Sequence, residues 1–210
     1  MSYELLKRIM DLFLAVFLGL LFLPLCLITA LAIKLESPSG PVFADTPKRL
    51  GKNGKPFFPF KFRSMIPNAI QYLRSHPELY EQYKKGSFKL RDDPRVTKVG
   101  RFIRKYSIDE IPQFVNVLRG EMSVIGPRPY YPDELEIQQE KYPHTKNLIE
   151  QALSVKPGIT GQWQVNGRSG INFDKRIEMD AAYARHLSLW YDLKILFKTP
   201  IAMISGKGAV

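Results

Sequence analysis

The sequence predicts a helix-rich α+β protein with a membrane-embedded N-terminal segment. Three observations lead to this fold class: an uncharged apolar run near the N-terminus, a short β-hairpin pattern, and several stretches with helical periodicity. The chain has 210 residues, which is enough for one domain with a short appendage. We therefore expect a membrane segment at residues 1–36 and a compact domain at residues 37–210.

The apolar run extends from Leu12 to Ile33 without a charged residue. A helix of about 22 residues can cross roughly 30 Å of hydrocarbon. The run exceeds the apolar core of a signal peptide, which has about 7–15 residues, so we expect a retained helix. Pro24 predicts a break at its middle, because proline removes a backbone hydrogen bond. Cations flank both ends, which leaves two topologies open: a kinked span, and a broken helix that returns to the same face.

The next segment has the pattern of a β-hairpin. Two β-prone runs, at residues 42–44 and 57–62, flank the sequence GKNG. Its Asn53-Gly54 pair suits a turn with positive φ, since both residue types tolerate the left-handed conformation. We therefore expect a small β-hairpin in the compact domain.

Helical patterns account for much of the remaining chain. A polar helical stretch from Asn68 to Lys85 is interrupted by Pro77, and a longer helical region covers residues 172–204. Between them, RVTKVGRFIRKY at residues 95–106 predicts a basic amphipathic helix with its apolar side chains on one face. Such a helix suits the surface of a bilayer, and packing onto the protein's own core is the alternative.

The charge balance indicates anionic partners and excludes some kinds of site. Lys and Arg outnumber Asp and Glu by 31 to 20, which gives a net charge of +11. Nucleic acid, anionic lipid and phosphorylated substrates are the partner classes that such a charge attracts. No base-stacking motif or recognition helix accompanies the charge, so we expect no nucleic-acid partner. Cys26 is the only cysteine, which excludes an intrachain disulfide, and the three histidines lack the spacing of zinc ligands.

The stretch RKYSIDEIPQFVN places two acids, Asp109 and Glu110, side by side at the predicted start of a helix. One interpretation is structural: SIDE matches a capping box with Ser107 as the N-cap and Glu110 three positions later. The other interpretation is chemical. An ionised aspartate among preorganised cations can attack phosphorus or hold a metal ion.

The chemical interpretation gains support from cations in short, rigid-looking frames around the two acids. Arginine suits bidentate recognition of phosphate, and in GPRP two prolines restrict the backbone around Arg128. Together with the acids, these cations predict a phosphoryl-transfer site. The candidate phosphate-binding residues are Lys61, Arg63, Arg104, Arg128 and Arg168.

Four blocks of the sequence resemble one protein family. They are KFRSM, RVTKVGRFIRKYSIDEIPQFVNVLRGEMSVIGPRP, KPGITGQWQVNGR and DAAYARHLSLWYDLKIL. In this order they resemble the bacterial sugar transferases, in particular the small monotopic polyprenyl-phosphate phosphoglycosyltransferases, over nearly the whole chain. The resemblance implies an enzyme that moves a phosphosugar from a UDP-sugar to polyprenyl phosphate and releases UMP, with residues 37–210 as its catalytic domain.

The resemblance also implies roles for individual residues. Asp109 is the implied nucleophile, which forms a covalent aspartyl phosphosugar. Glu110 is implied to work with Mg²⁺ and the acceptor phosphate, and both acids are candidate metal ligands. Arg104 and Arg128 correspond to phosphate-binding positions. Phosphate binding by three further cations is inferred from charge alone: Lys61, Arg63 and Arg168.

For the N-terminal segment, the resemblance implies a re-entrant helix and a catalytic domain on the cytoplasmic face of the bacterial inner membrane. Members commonly mark the break with Ser-Pro. Here the pair is Leu23-Pro24, which lacks the hydroxyl that can bond to a freed carbonyl. The implied partners are a UDP-sugar, polyprenyl phosphate and membrane lipid, and no oligomer is predicted. Two rival functions stay open: transfer in a ternary complex without a covalent intermediate, and a basic membrane-tethered scaffold.

Overall fold

The structure, a computed structural model, describes residues 2–85, 90, 92–167 and 170–205. It confirms a helix-rich α+β fold, in which the described strands form two small sheets of two strands each. The helices are α1 (Tyr3–Leu21), α2 (Leu23–Glu36), α3 (Ala69–Arg74), α4 (Pro77–Lys85), α5 (Lys98–Lys105), α6 (Phe114–Arg119), α7 (Pro132–Lys141), α8 (Lys146–Leu153), α9 (Gln162–Val165), α10 (Phe173–Arg185) and α11 (Leu189–Ser205). The strands are β1 (Arg49–Leu50), β2 (Pro56–Phe57), β3 (Ser123–Ile125) and β4 (Gly158–Thr160).

The apolar run forms two helices joined by a sharp break. α1 and α2 are bent by 58° relative to each other, and Pro24 lies in the first turn of α2, as the proline predicts. Within the described residues, no single helix is both long and apolar enough to cross a bilayer, whereas this bent pair meets both criteria together. Large apolar side chains on its outer surface are exposed: Leu5, Ile9, Phe13, Val16, Phe17, Leu20, Leu21, Leu23, Leu27, Ile28, Leu31 and Leu35.

A buried set of polar side chains, which we call the docking network, fixes α1 to the rest of the protein. Asp11 lies at its centre. Its Oδ1 accepts hydrogen bonds from Lys7 Nζ (3.1 Å), Ser123 Oγ (2.9 Å) and the Val124 amide (3.0 Å). These bonds join α1 to β3. The members of the docking network are Tyr3, Lys7, Asp11, Tyr183 and Asp192.

The same network joins α1 to the C-terminal helices. Asp192, in α11, accepts hydrogen bonds from the hydroxyls of Tyr183 (2.6 Å) and Tyr3 (3.0 Å). Lys7 Nζ lies 3.4 Å from the second oxygen of the Asp192 carboxylate. A charge inside a protein is tolerated when it is paired and hydrogen-bonded, so this network holds α1 in one position.

The far end of the helix pair is also attached to the same body. Glu36, the last residue of α2, accepts a hydrogen bond from the Lys98 amide (2.8 Å) at the N-terminus of α5. In α1, Arg8 donates to the Val117 carbonyl (2.7 Å) at the end of α6. Both ends of the broken helix therefore contact one body, and the boundary at residue 36 stays a prediction.

The structure confirms a small hairpin and its predicted turn, but the first strand is Arg49–Leu50 and not the predicted run at residues 42–44. β1 and β2 pair antiparallel, and the loop between them passes through Asn53 (φ 56°) and Gly54 (φ 72°). Both residues are in the left-handed region that the sequence predicts for this turn. A bridge between Phe43 and Phe62 extends the pairing beyond the short strands.

The predicted helical regions are also present. Pro77 begins α4, and α5 begins after Thr97, whose side chain accepts a hydrogen bond from the Gly100 amide (2.9 Å). The apolar face of α5 lies partly in the protein core and partly at the surface. Ile103 is buried in the core, whereas 58% of Phe102 is exposed.

β3 and β4 lie side by side in parallel, next to the largest core cluster. Their backbones approach closely because glycine occupies three contact positions. A Cβ atom on Gly158 or Gly161 would collide with the backbone of Gly126. This close approach places the loops that follow β3 and β4 beside each other, where they form part of the cleft described below.

Candidate active site

Asp109 and Glu110 lie in a short 3-10 helix, Ile108–Gln113, between α5 and α6. The chain enters it through Ser107, whose backbone is left-handed (φ 56°) and whose side chain makes no capping hydrogen bond. The capping-box interpretation is therefore wrong. Glu110 instead pairs with Lys61 of the hairpin, with 2.6 Å between Oε1 and Nζ.

Neighbouring backbone contacts hold Lys61 against the two acids. The Phe62 amide donates a hydrogen bond to the Asp109 carbonyl (2.9 Å), which ties the hairpin to the 3-10 helix. On the other side of Lys61, the Phe60 amide donates to the side chain of Asn116 in α6 (2.8 Å). Asn116 is fully buried, so this contact is protected from water. The acid–lysine pair is thus fixed from two directions.

Asp109 is buried, with 8% of its surface exposed. Burial raises the pKa of its carboxyl to about 6, and the Glu110 charge adds to the rise, while the cations of Lys61 and Arg104 oppose it. With this pKa the carboxylate is mostly ionised at pH 7. Asp109 is thus a poorly solvated anion beside two cations, which suits attack on an electrophile or binding of a metal ion.

Arg128 is positioned by a buried carboxylate behind it. Its amide donates to Asp180 Oδ2 (3.1 Å), and the Tyr130 hydroxyl donates to the same oxygen (2.7 Å). The guanidinium carbon lies 5.0 Å from the centre of the Trp163 ring. Burial alone would lower the pKa of Arg128, but nearby negative charge, first that of Glu134, raises it overall. Arg128 therefore stays charged, and its backbone is fixed.

Lys61, Glu110 and Arg128 meet in an open cleft with about 320 Å³ of empty space, part of it exposed to solvent. The cleft brings one carboxylate and three cations together. Such a lining suits an anionic ligand that also brings a metal ion or a second charged group. Its polar lining residues are Arg49, Lys61, Glu110, Gln113 and Arg128. The other lining residues are Pro59, Pro129, Gly158, Ile159 and Trp163.

The structure brings some of the predicted site residues together. Lys61, Glu110 and Arg128 line the cleft. Asp109 does not line it, but directly precedes Glu110 in the chain. Arg104, half-buried on α5, is close enough to lower the pKa of the Asp109 carboxyl.

Arg63 is not in the cleft. Its guanidinium donates from Nε to the Pro41 carbonyl (2.6 Å) and from a terminal nitrogen to Ser37 Oγ (3.0 Å). These bonds tie the hairpin to the segment after α2 and give Arg63 a structural role, while phosphate binding by Arg63 stays a prediction. Arg168 lies outside the described residues.

The lining residues that the sequence did not predict include one cation and one aromatic residue, Arg49 and Trp163. Arg49 begins β1 in the same hairpin as Lys61, but it is one of several cations there and no local pattern distinguishes it. Trp163 lies in α9, inside the block KPGITGQWQVNGR, and its aromatic side chain is equally typical of a core. Both reach the cleft through contacts with residues far away in the sequence.

The two acids fit a metal ion only if the ligand supplies further oxygens. Among the described residues, no group of three or more His, Cys, Asp or Glu side chains is arranged to hold a metal ion. Mg²⁺ is commonly bound by one or two carboxylates together with substrate phosphates. Asp109 and Glu110 offer adjacent carboxylates beside a cationic cleft, which matches that requirement. Lys61 already binds one oxygen of Glu110.

Comparison with known proteins gives a consistent match. The bacterial sugar transferase family matches residues 2–206. The chain is 39% identical to an undecaprenyl-phosphate galactose phosphotransferase of Salmonella typhimurium, over 99% of this chain and 42% of that protein. It is 41% identical to a UDP-glucose:undecaprenyl-phosphate glucose-1-phosphate transferase of Escherichia coli, over 98% of this chain and 42% of that protein.

A third relative is similar to the chain in length. An exopolysaccharide production protein of Rhizobium meliloti is 40% identical, over 97% of this chain and 87% of that protein. The chain spans about two fifths of the length of the two phosphotransferases. The match nevertheless includes both acids, the hairpin and all the described cleft residues, and the chain therefore belongs to the bacterial sugar transferase family.

Proposed function

We propose that the protein transfers a phosphosugar from a UDP-sugar to polyprenyl phosphate, through a covalent intermediate on Asp109. The observation that carries this proposal is the placement of the adjacent acids. Asp109 is buried beside Lys61 and Arg104, and Glu110 lines a cleft that also contains Arg128. Two relatives, an undecaprenyl-phosphate galactose phosphotransferase and a UDP-glucose:undecaprenyl-phosphate glucose-1-phosphate transferase, support the same substrates.

In the first step, a carboxylate oxygen of Asp109 attacks the β-phosphorus of the UDP-sugar. The bond from that phosphorus to UMP breaks, and UMP leaves with the bonding electrons. The pKa of about 6 keeps the Asp109 carboxylate available at neutral pH, while burial leaves it poorly solvated. The cations of the cleft stabilise the charge that develops on the phosphoryl oxygens.

In the second step, an oxygen of polyprenyl phosphate attacks the same phosphorus. The bond between phosphorus and Asp109 breaks, which regenerates the carboxylate and releases a polyprenyl-diphosphosugar. Asp109 and Glu110 would hold Mg²⁺, which when bound neutralises charge on the phosphates. The Lys61 cation fixes the orientation of Glu110 at the cleft.

The attachment of the N-terminal helices supports a re-entrant membrane segment. The docking network at one end, and Glu36 at the other, contact the same body. A helix that crossed the bilayer would separate its two ends by about 30 Å of hydrocarbon, so these contacts favour entry and exit on one face. A lipid-anchored acceptor and a water-soluble donor can then meet at the cytoplasmic surface of the inner membrane.

The direct test is turnover by the full chain in lipid nanodiscs with undecaprenyl phosphate, Mg²⁺ and a panel of nucleotide-sugars. We expect UMP release with at least one UDP-sugar and formation of the lipid diphosphosugar. Asp109→Asn should lower the rate by at least about 1,000-fold, because it removes the nucleophile. The matched control, Asp133→Asn, changes an exposed acid of α7 and should retain the wild-type rate. No transfer with any donor would refute the proposal.

A further inference from the structure

Arg49 is a buried cation with a fixed orientation at the cleft. It is 8% exposed and lines the cleft together with Arg128. Its guanidinium carbon lies 3.1 Å from the centre of the Tyr131 ring, and one terminal nitrogen donates to the Pro129 carbonyl (3.0 Å). A planar guanidinium that stacks on an aromatic ring loses much of its freedom before any ligand binds.

Negative groups compensate the charges of the two cleft arginines from a distance and not through direct ion pairs. Within the described ranges, neither Arg49 nor Arg128 forms an ion pair with a carboxylate. The Nε atom of Arg128 is buried and has no hydrogen-bond partner there. Among the negative groups, Glu134 does most to raise the pKa of Arg128, but its Oε1 binds Arg176 (2.8 Å).

The two cations also act on each other. Both residues line the same cleft, burial lowers the pKa of Arg49, and the Arg128 charge contributes to the lowering. For Arg49, lost hydration and the neighbouring Arg128 charge both disfavour the cation, so its position costs stability in the free protein. A bound anion would remove this cost, since it would accept the hydrogen bonds that the described protein atoms leave unused.

We propose that Arg49 and Arg128 together bind a phosphoryl group in the cleft, with Tyr131 and Trp163 as the rings that hold the two guanidiniums in place. Paired guanidinium forks match the geometry of phosphoryl oxygens better than an ammonium does. Lys61 is already engaged by Glu110, which leaves the two arginines as the preorganised donors. This assignment of Arg49 rests on the proposed function for the identity of its ligand: either the diphosphate of the nucleotide-sugar or the phosphate of the polyprenyl acceptor.

The test uses three variants of the full chain in nanodiscs. Arg49→Gln removes the charge, and Arg49→Lys keeps the charge but loses the planar fork. Lys55→Gln is the matched control, because it removes an exposed cation from the same hairpin. Thermal unfolding of each variant checks that it is folded. The measurements are the Kd for UDP without any acceptor, and the KM values for UDP-sugar and for undecaprenyl phosphate.

If Arg49 binds the donor, Arg49→Gln should raise the Kd for UDP and the KM for UDP-sugar by about 10- to 100-fold, with a smaller rise for Arg49→Lys. If it binds the acceptor, the same rise should appear only in the KM for undecaprenyl phosphate. Lys55→Gln should change each constant by less than about 2-fold. Unchanged constants in folded Arg49→Gln and Arg49→Lys would overturn the assignment.

This result is separable from a failure of the proposed function. Binding of UDP is measured without turnover, so it reports on a donor contact of Arg49 even if no phosphosugar is transferred. If Arg49→Gln does not fold, Arg49→Lys gives the decisive comparison. If Arg49→Lys then binds UDP as tightly as the wild type and has the same KM values, the result counts against a contact between Arg49 and a phosphoryl group.

Discussion

The docking network and the cleft both bury charged side chains, but they differ in how completely those charges are paired. In the docking network, Asp11 accepts three hydrogen bonds, and Lys7 lies between two carboxylates. In the cleft, Arg128 has a buried Nε without a partner among the described residues. An unpaired buried polar group costs about 1–3 kcal/mol. The docking network therefore stabilises the fold. The cleft lowers the stability of the free protein and leaves polar atoms available to a ligand.

The largest expected effect is on the stability of the docking network. Asp11→Leu removes the acceptor of three buried donors, so we expect it to lower the free energy of unfolding by about 3–5 kcal/mol. The measurement is thermal or denaturant unfolding in a mild detergent. Glu4→Gln is the matched control, since Glu4 lies on the same helix with an exposed side chain. A loss below about 1 kcal/mol for Asp11→Leu would show that the network does not hold α1 in place.

A change in the cleft should affect activity more than stability. Lys61→Met removes the partner of Glu110 and the cation that does most to lower the pKa of Asp109. We expect a rate about 100-fold lower, and an acid limb of the pH–rate profile displaced to higher pH, because the Asp109 pKa rises further. The Lys61 and Glu110 side chains are 23% and 21% exposed, so the loss of stability should stay within about 1 kcal/mol.

Lys55→Met, in the same hairpin, is the control for the loss of a cation and should keep both rate and profile. If the acid limb of the pH–rate profile is unchanged in Lys61→Met, that limb does not report the ionisation of Asp109. A loss of stability as large as that of Asp11→Leu would instead remove the distinction between the two regions.

The smallest effect concerns Asp180, the carboxylate behind Arg128. Burial raises its pKa to about 6 from an ordinary value near 3.8. The folded state therefore binds this proton more tightly than the unfolded state. The resulting stabilisation is fully present below the unfolded pKa and is lost as the pH rises through the folded pKa. Between pH 4 and pH 7 the group should cost about 2 kcal/mol of stability.

Asp180→Asn tests this expectation, because an amide oxygen can still accept from Tyr130 and from the Arg128 amide. The difference in unfolding free energy between wild type and variant should change by about 2 kcal/mol across pH 4–7. The comparison cancels the other titrating groups. A difference independent of pH would mean that the Asp180 carboxyl titrates normally in the folded protein.

Local features of the fold could be predicted from the sequence because local physics determines them. Pro24 breaks the apolar helix through its missing N–H, and Asn53-Gly54 forms the turn through tolerance of positive φ. The capping-box prediction at Ser107 was wrong. Its residue types suit a cap, but the Ser107 backbone is left-handed and Glu110 pairs with Lys61 of the hairpin.

The site could be predicted only where its residues are neighbours in the sequence. The adjacent pair Asp109-Glu110 and the proline-framed Arg128 could be identified from their own segments. The bonds of the Arg63 guanidinium could not be predicted, because Ser37 and Pro41 accept them through contacts that no sequence period reveals. Arg49 was missed since its ring partner lies 82 residues further along the chain, that is, 131 minus 49.

The central claim is a covalent bond between Asp109 and the phosphosugar, and intact-mass spectrometry tests it most directly. The wild-type chain is incubated with its UDP-sugar and Mg²⁺, without acceptor, and quenched in acid. The account predicts a mass increase of one phosphosugar, which maps to Asp109, disappears when undecaprenyl phosphate is added, and is absent from Asp109→Asn. No adduct on the wild type, together with a fully active Asp109→Asn protein, would contradict the account and favour direct transfer in a ternary complex.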